Sequence, residues 1–376
     1  MTLSVGYEMQ LVTEMNRFTL LVDGNWLLQS RFAMLQAGFV KENSEAVKLA
    51  AQADLRDFCA KSINVIINKF HSIDNIIIVA DGGSWRKDVP VPGSLGKITY
   101  KGNREEARDK QDFDWTYVWD ALSQIVEQAR SLGVTVSRAH GIEGDDWICH
   151  WSRRLNNQGI NCLIWSSDCD LKQLVQFDEN TSAFTIWYND KNGLCIPESM
   201  RDDSEDIDFF MKPQPDSMIL EDLKRRSKST VYINPDSIAL HKFIMGDSGD
   251  NIMSIVRYKK GNKNYGVGKV DCEKVLNELG ITTVQEYIDK REEVVEWFAN
   301  KSKYKASGLS KEQILERIQY NIRMVWLNSK AMPKKILETM DKVTYNNFDI
   351  SYIKSNYRCL VPEDTSEIER LFDAIE

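Results

Sequence analysis

Phe18-Thr19-Leu20-Leu21-Val22-Asp23-Gly24-Asn25 is the stretch that decides the fold. A short apolar run with no polar alternation reads as a strand buried on both faces, as parallel sheets require. Asp-Gly-Asn at its end reads as a turn. The arrangement recurs downstream. Ile76-Ile77-Ile78-Val79 leads to Asp81-Gly82-Gly83, and Val134 to Ser137 leads to Gly141-Ile142-Glu143-Gly144-Asp145-Asp146. Cys162 to Trp165 leads to Ser166-Ser167-Asp168-Cys169-Asp170, and a fifth strand runs from Phe184 to Tyr188. Helical periodicity separates the strands: Leu55, Phe58, Cys59, Ile66, Ile67 and Phe70; then Trp115, Val118, Trp119, Leu122, Ile125, Val126 and Ala129; then Trp147, Ile148, Trp151 and Leu155. Alternation of this kind predicts an α/β fold, a mostly parallel central sheet with helices on both faces. Ligands of such sheets collect beyond the carboxyl ends of the strands, which is where the acids fall.

Further along, residues 197–222 hold nine acids against Arg201 and Lys212, with Pro197, Pro213 and Pro215 among them. That composition predicts an acidic insertion or linker, over 191–230. From Pro235 the pattern is helical, at 236–246, 269–279, 284–298 and 311–328. The expected layout is an α/β core over 17–190, the linker, and a helical domain over 231–376.

A chain of 376 residues with 42% hydrophobic and 28% charged residues has ample material for two folded domains. No apolar run approaches the roughly 18 residues of a membrane helix, and the first residues, with Glu8 and Glu14, lack the layout of a secretory signal. Seven cysteines stand singly, none in a CxxC pair. A reducing, cytoplasmic setting is the expectation.

The acids have a chemical reading. Magnesium prefers oxygen ligands and keeps several waters, so a few carboxylates hold it. Two such ions about 4 Å apart promote phosphodiester hydrolysis. Pairs at i, i+2 send two side chains to one place, as Glu143/Asp145 and Asp168/Asp170 do; Asp247/Asp250 is a wider pair, and Asp23, Asp81 and Asp146 add single groups. Each acid alone has an ordinary explanation as a turn former or helix N-cap. Together, that many carboxylates repel one another without a cation. Zinc chemistry is disfavoured, since the four histidines have no zinc spacing, and neither a GxSxG elbow nor a P-loop occurs. Net charge is −8, and removing the nine carboxylates just named leaves +1, so the acidity does not exclude a nucleic-acid partner. Residues 84–110 carry seven basic against four acidic groups, with Arg86, Lys87, Tyr100, Lys101 and Arg104 as candidate phosphate contacts. Residues 257–269 carry five basic groups and no acid, and the turn Gly266-Val267-Gly268-Lys269 leads into a helix whose N–H groups can grip a phosphate.

At this point the residues resemble the flap endonuclease or 5′→3′ exonuclease family, in its phage branch with the T-even ribonuclease H enzymes. LLVDGN at 20–25, VADGG at 79–83, YKGNR at 100–104, GIEGDD at 141–146, SSDCDL at 166–171, IMGDSGDNI at 244–252 and YGVGK at 265–269 carry the likeness, in the family's order. The resemblance implies a PIN-like 5′-nuclease core and a helix-three-turn-helix over 241–279. It implies one magnesium ion on Asp23, Asp81, Glu143 and Asp145, with Asp146 acting through water, and a second on Asp168, Asp170, Asp247 and Asp250. Manganese would substitute, and a potassium ion would sit at the helix-three-turn-helix. Residues 84–120 would form an arch, with Lys101 and Arg104 at the scissile phosphate. Substrates would be DNA with 5′ flaps, nicks or ends and RNA–DNA hybrids, for a monomer working beside single-stranded-DNA-binding or other replication proteins. Gly144 replaces a usual alanine, and 251–266 is longer than in bacterial relatives. Two competing functions are a catalytically inactive DNA-binding module of the same fold and a shorter, toxin-type ribonuclease; the retained acids disfavour the first and the helical C-terminal half the second.

Overall fold

The computed structural model describes residues 18–39, 44–109, 115–201, 217–260 and 262–362. Two compact units are formed, one from residues up to Gly83, Asp112–Ile233 and the stretch from Glu338, the other from Ser84–Gln111 and Asn234–Leu337.

In the first unit eight strands make one sheet: β1 (Phe18–Asp23), β2 (Asn75–Val79), β3 (Thr135–Ser137), β4 (Asn161–Trp165), β5 (Gln176–Asp178), β6 (Ala183–Asn189), β7 (Gly193–Pro197) and β8 (Thr230–Ile233). Their order is β3-β2-β1-β4-β6-β7-β8, with β5 on β6. The strands from β3 to β6 along this order run parallel; β6 pairs antiparallel with β5 and β7, and β7 parallel with β8. This is the mostly parallel sheet the apolar runs call for.

Helices α1 (Gly24–Phe39), α2 (Glu45–Lys69) and α3 (Thr116–Ser131) cover one face; Phe18, Leu20 and Val22 of β1 share a core there with Leu28, Ile63, Leu122 and Ile125. Helix α4 (Gly144–Asn156) packs against β1 and β4, with Trp147 and Trp151 fully buried. Truncating either indole to alanine costs about 3–5 kcal/mol. Two buried polar strand residues are satisfied by one phenol: Tyr345 Oη lies 3.0 Å from Thr19 Oγ1 and accepts from Asn75 Nδ2 at 2.8 Å. Asp-Gly-Asn at 23–25 proves to be a helix start rather than a free turn, because Asp23 Oδ1 accepts the Trp26 N–H at 2.9 Å and caps α1. Of the acidic stretch, Ser217–Arg226 forms helix α5, with Leu220 and Leu223 buried; residues 202–216 lie outside the described residues.

The second unit is mainly helical, with Gly102–Asp109, α6 (Pro235–Met245), α7 (Lys269–Glu278), Val284–Asp289, Arg291–Asn300 and α8 (Lys311–Val325). Asn234 caps α6, whose first residue is Pro235, and Phe243, Tyr287, Phe298 and Ile318 are buried. Between α6 and α7 stands a hairpin the sequence did not announce, β9 (Tyr258–Lys260) paired with β10 (Lys263–Tyr265). Strands three residues long and rich in lysine have no readable period. Among the described residues, no helix is long and apolar enough to cross a membrane.

Candidate metal centre and nucleic-acid contacts

Register brings the acids of the first unit to one edge of the sheet. Asp23 pairs with Val79 on β2, and Val22 with Trp165 on β4, so the carboxyl ends of three adjacent strands are level. Asp23 is buried, with 7% of its surface exposed. Its Oδ2 accepts from Ser166 Oγ at 2.7 Å, and that oxygen in turn accepts the Asp168 N–H at 3.0 Å. Asp168 Oδ1 accepts the Asp170 N–H at 2.8 Å. Asp81 is held by one amide from both sides: Asn25 Nδ2 donates to Asp81 Oδ2 at 3.1 Å, and the Asp81 N–H donates to Asn25 Oδ1 at 2.8 Å.

The first turn of α4 supplies the remaining groups. Gly144 N–H donates to Asp81 Oδ1 at 2.6 Å, so a helix N-terminus faces a carboxylate, the favourable direction of the helix dipole. A Cβ at Gly144 would lie 3.1 Å from that oxygen, so the glycine permits the approach. Glu143 immediately precedes the helix and is buried, Asp145 is half-buried, and Asp146 is fully buried. The Asp81 loop is fixed by Gly82, whose N–H donates to Ile142 O at 2.8 Å, while the Gly141 N–H donates to Gly82 O at 2.8 Å. A Cβ there would stand 1.9 Å from Ala139 O, so no other residue fits.

Burial pushes the Asp23 carboxyl up to about 7 from 3.8; the Trp26 and Ser166 hydrogen bonds work against the shift, and the charges of Asp81 and Asp168 add to it. That is the behaviour of an enclosed carboxylate whose neighbours are carboxylates. A hard divalent cation would relieve it, and the all-oxygen donor set suits magnesium. Among the described residues, no three acidic, histidine or cysteine side chains yet close on a common point as a metal shell does.

Asp247 and Asp250 belong to the second unit, on the turn after α6. Asp247 is buried in part, which raises its pKa, but Lys242 and the Gly249 and Asp250 N–H groups outweigh that and hold it below the usual carboxylate range. Arg104 Nη2 donates to Asp250 Oδ1, Tyr100 Oη donates to Asp250 Oδ2 at 3.1 Å, and Lys101 Nζ is 3.9 Å from the same oxygen. The Lys101 N–H also donates to Asp250 O at 3.0 Å, and Lys101 takes the left-handed φ of 56°. YKGNR and GDSGDN, far apart along the chain, thus fold as one cluster. Arg86 is buried, donating through Nε to Met324 O at 2.8 Å, and Lys87 pairs with Glu105. Gly266 packs on Ser254, where a Cβ would stand 2.8 Å from Ser254 Cβ. Gly268 opens α7 with free space around it, and Lys269 is exposed, 3.6 Å from Glu273.

Sequence reading missed Asn25 and Ser166, although Asn25 lies two residues past Asp23 and Ser166 two before Asp168. Their amide and hydroxyl orient three of the acids.

The comparisons agree with this architecture. Residues 18–203 match the model of the 5′-3′ exonuclease N-terminal, resolvase-like domain. Ribonuclease H of Enterobacteria phage T4 is 25% identical over 152 residues, 38% of this chain, and the chain spans 46% of that relative's length. A 5′-3′ exonuclease of Mycoplasmopsis pulmonis is 24% identical over 354 residues, covering 92% of this chain and 95% of the relative. Among solved structures, the bacteriophage T5 flap endonuclease, in complex with DNA and metal ions, aligns at a TM-score of 0.52 and 16% identity over 90% of this chain and 100% of its own. The same phage protein co-crystallised with metal ions gives 0.51 and 17%, over 90% and 99%. At such identities the structures establish the fold. Through residues 18–203, the chain is similar to the N-terminal, resolvase-like domain of 5′-3′ exonucleases.

Proposed function

We propose that the chain is a divalent-metal-dependent 5′ nuclease, acting as a 5′→3′ exonuclease or flap endonuclease on DNA 5′ ends, nicks and flaps and on RNA–DNA hybrids. The observation that carries this reading is the placement of Asp23, Asp81 and Asp168 at or just beyond the level ends of three adjacent strands, with Asp23 pushed to about 7 by burial and its acidic neighbours. Asp23, Asp81, Glu143 and Asp145 are the residues we assign to one magnesium ion, with Asp146 behind them, and Asp168 and Asp170 to a second; manganese is the expected substitute. When bound, such ions polarise the phosphoryl centre and acidify water. Asn25 and Ser166 keep Asp81 and Asp23 aimed. The first turn of α4 holds Asp81 by its Gly144 N–H.

In the second unit, Lys101 and Arg104 are the cations we assign to the scissile phosphate, with Tyr100 beside them. Asp250 engages both, so substrate would exchange one anion for another at Arg104. A ligand role for Asp247 and Asp250 requires release from Lys242 and Arg104. Gly266, Gly268 and Lys269 offer a helix start to a duplex phosphate, and a potassium ion at the same segment is part of the proposal. Phosphodiester cleavage at 5′ ends fits primer or flap removal in replication.

The test is cleavage of a 5′-labelled flap duplex and an RNA–DNA hybrid, with magnesium and with chelator. Magnesium-dependent short 5′ products are expected. Tight binding without cleavage, in magnesium or manganese, would replace the reading with a non-catalytic DNA-binding module.

A further inference from the structure

Among its described residues, the second unit contains two guanidinium groups with no acid to meet them. Arg317 on α8 is 5% exposed, and its donors reach only neutral acceptors: Nε to Ser94 Oγ at 3.0 Å, Nη2 to Ser94 O, and Nη1 to Ile255 O at 3.4 Å. Arg257 stands near enough that its charge, after burial, depresses the Arg317 pKa, and Arg257 itself donates to Met253 Sδ. Among the described residues, neither arginine forms an ion pair. Buried charges are normally paired, because desolvation costs several kcal/mol per ion. Here two like charges share one place.

A cavity of about 210 Å³ opens in front of them, lined by both arginines, by Ser94, Ser307 and Asn264, and by Met253, with no acid in its wall among the described residues. Two guanidinium forks, two hydroxyls and an amide are the donor set that a phosphoryl group takes. The β9–β10 hairpin contributes Asn264 to this cavity. Asn264 pairs across the hairpin with Lys259, which places Lys259 on the same face as the cavity-lining amide. Lys259 and Lys263 are exposed and have no ion-pair partner among the described residues. Tyr258 and Tyr265 stack at 5.8 Å on the opposite face of the hairpin and hold its two strands together.

We propose that the Arg257–Arg317 cavity is a phosphate-binding site and that it takes a backbone phosphate of nucleic acid lying along the β9–β10 hairpin. The nucleic-acid source rests on the nuclease reading above; the phosphoryl chemistry does not. Arg317 also braces the Ser94 loop, so Arg317→Gln can fail to fold. Arg257→Gln removes a half-buried guanidinium whose side-chain hydrogen bond, among the described residues, is to the Met253 thioether.

Binding of a 5′-flap duplex is measured in chelator, against salt, for the wild type, Arg257→Gln and Lys259→Ala. Melting of the wild type and Arg257→Gln is followed with inorganic phosphate as probe. The expected result is a roughly tenfold loss of duplex affinity in Arg257→Gln, with log affinity against log salt flattened by about one unit. Unchanged duplex binding, with phosphate raising the Tm of the wild type but not of Arg257→Gln, would keep the phosphoryl site and overturn its nucleic-acid source. Unchanged binding and unchanged phosphate response would overturn the proposal. Wild type that binds as expected but never cuts in magnesium would sink the nuclease reading and leave this site standing.

Discussion

Asp23→Asn tests the metal-site reading through stability alone. Asp23 is an acid whose folded-state pKa is raised, from 3.8 to about 7, chiefly by burial. Below pH 4 it is neutral folded or unfolded and contributes nothing to the pH dependence. Between pH 4 and 7 the unfolded chain ionises it freely and the folded chain resists, so metal-free stability falls as pH rises and levels off above 7. A rise from 3.8 to about 7 corresponds to ~4 kcal/mol. Asparagine keeps the Oδ1 acceptor for the Trp26 N–H but presents an amide to Ser166 Oγ, a mismatch of about 1 kcal/mol. In chelator at pH 8 the variant should therefore be more stable by about 3 kcal/mol, on the order of 10 °C in Tm. At pH 4 the advantage should vanish. Magnesium at pH 6 should stabilise the wild type with release of a proton and do far less for the variant, which should also be inactive. Melts in EDTA across pH 4–8, followed by tryptophan fluorescence, decide it. A variant less stable than wild type at pH 8, or parallel pH profiles, would refute the account of Asp23 as a buried, unneutralised acid.

Other substitutions probe the remaining parts. Asp168→Asn should abolish cleavage of the labelled flap while duplex affinity in chelator stays within a few-fold, and unchanged turnover would remove Asp168 from the metal set. Lys101→Ala should lower kcat by about 100-fold or more with a smaller change in duplex affinity; a change confined to salt-sensitive affinity would make Lys101 an ordinary phosphate contact. Gly82→Ala should cost more than about 2 kcal/mol of stability, since its Cβ would stand 1.9 Å from Ala139 O; a normal Tm would show that the loop gives way.

Most of the sheet was legible because strands buried on both faces are continuous apolar runs, and the acids at their ends stand out against them. Helix α1 was not, since Asp-Gly-Asn serves equally as a turn and as a cap, and only the Trp26 N–H distinguishes them. The β9–β10 hairpin was illegible because its pairing is set by stacked tyrosines rather than by alternation. Arg86 looked like a phosphate contact in a basic segment, yet it is buried against Met324 O. Charge in a sequence carries no information about which side chain a neighbouring helix will enclose. Asn25 and Ser166 escaped notice for a related reason, since a residue that aims another has no chemistry of its own to display.

The level ends of β1, β2 and β4 have a mechanical meaning. Neighbouring strands lie about 4.8 Å apart, a pitch fixed by backbone hydrogen bonds, and paired catalytic ions work at about 4 Å. For the pair of ions proposed above, the sheet edge would serve as a ruler, with Asp23 on the central mark and Asp81 and Asp168 following the marks to either side. Changing a side chain alters what is held at a mark, whereas sliding one strand by a residue would move its mark about 3.3 Å and turn its acid toward the opposite face of the sheet.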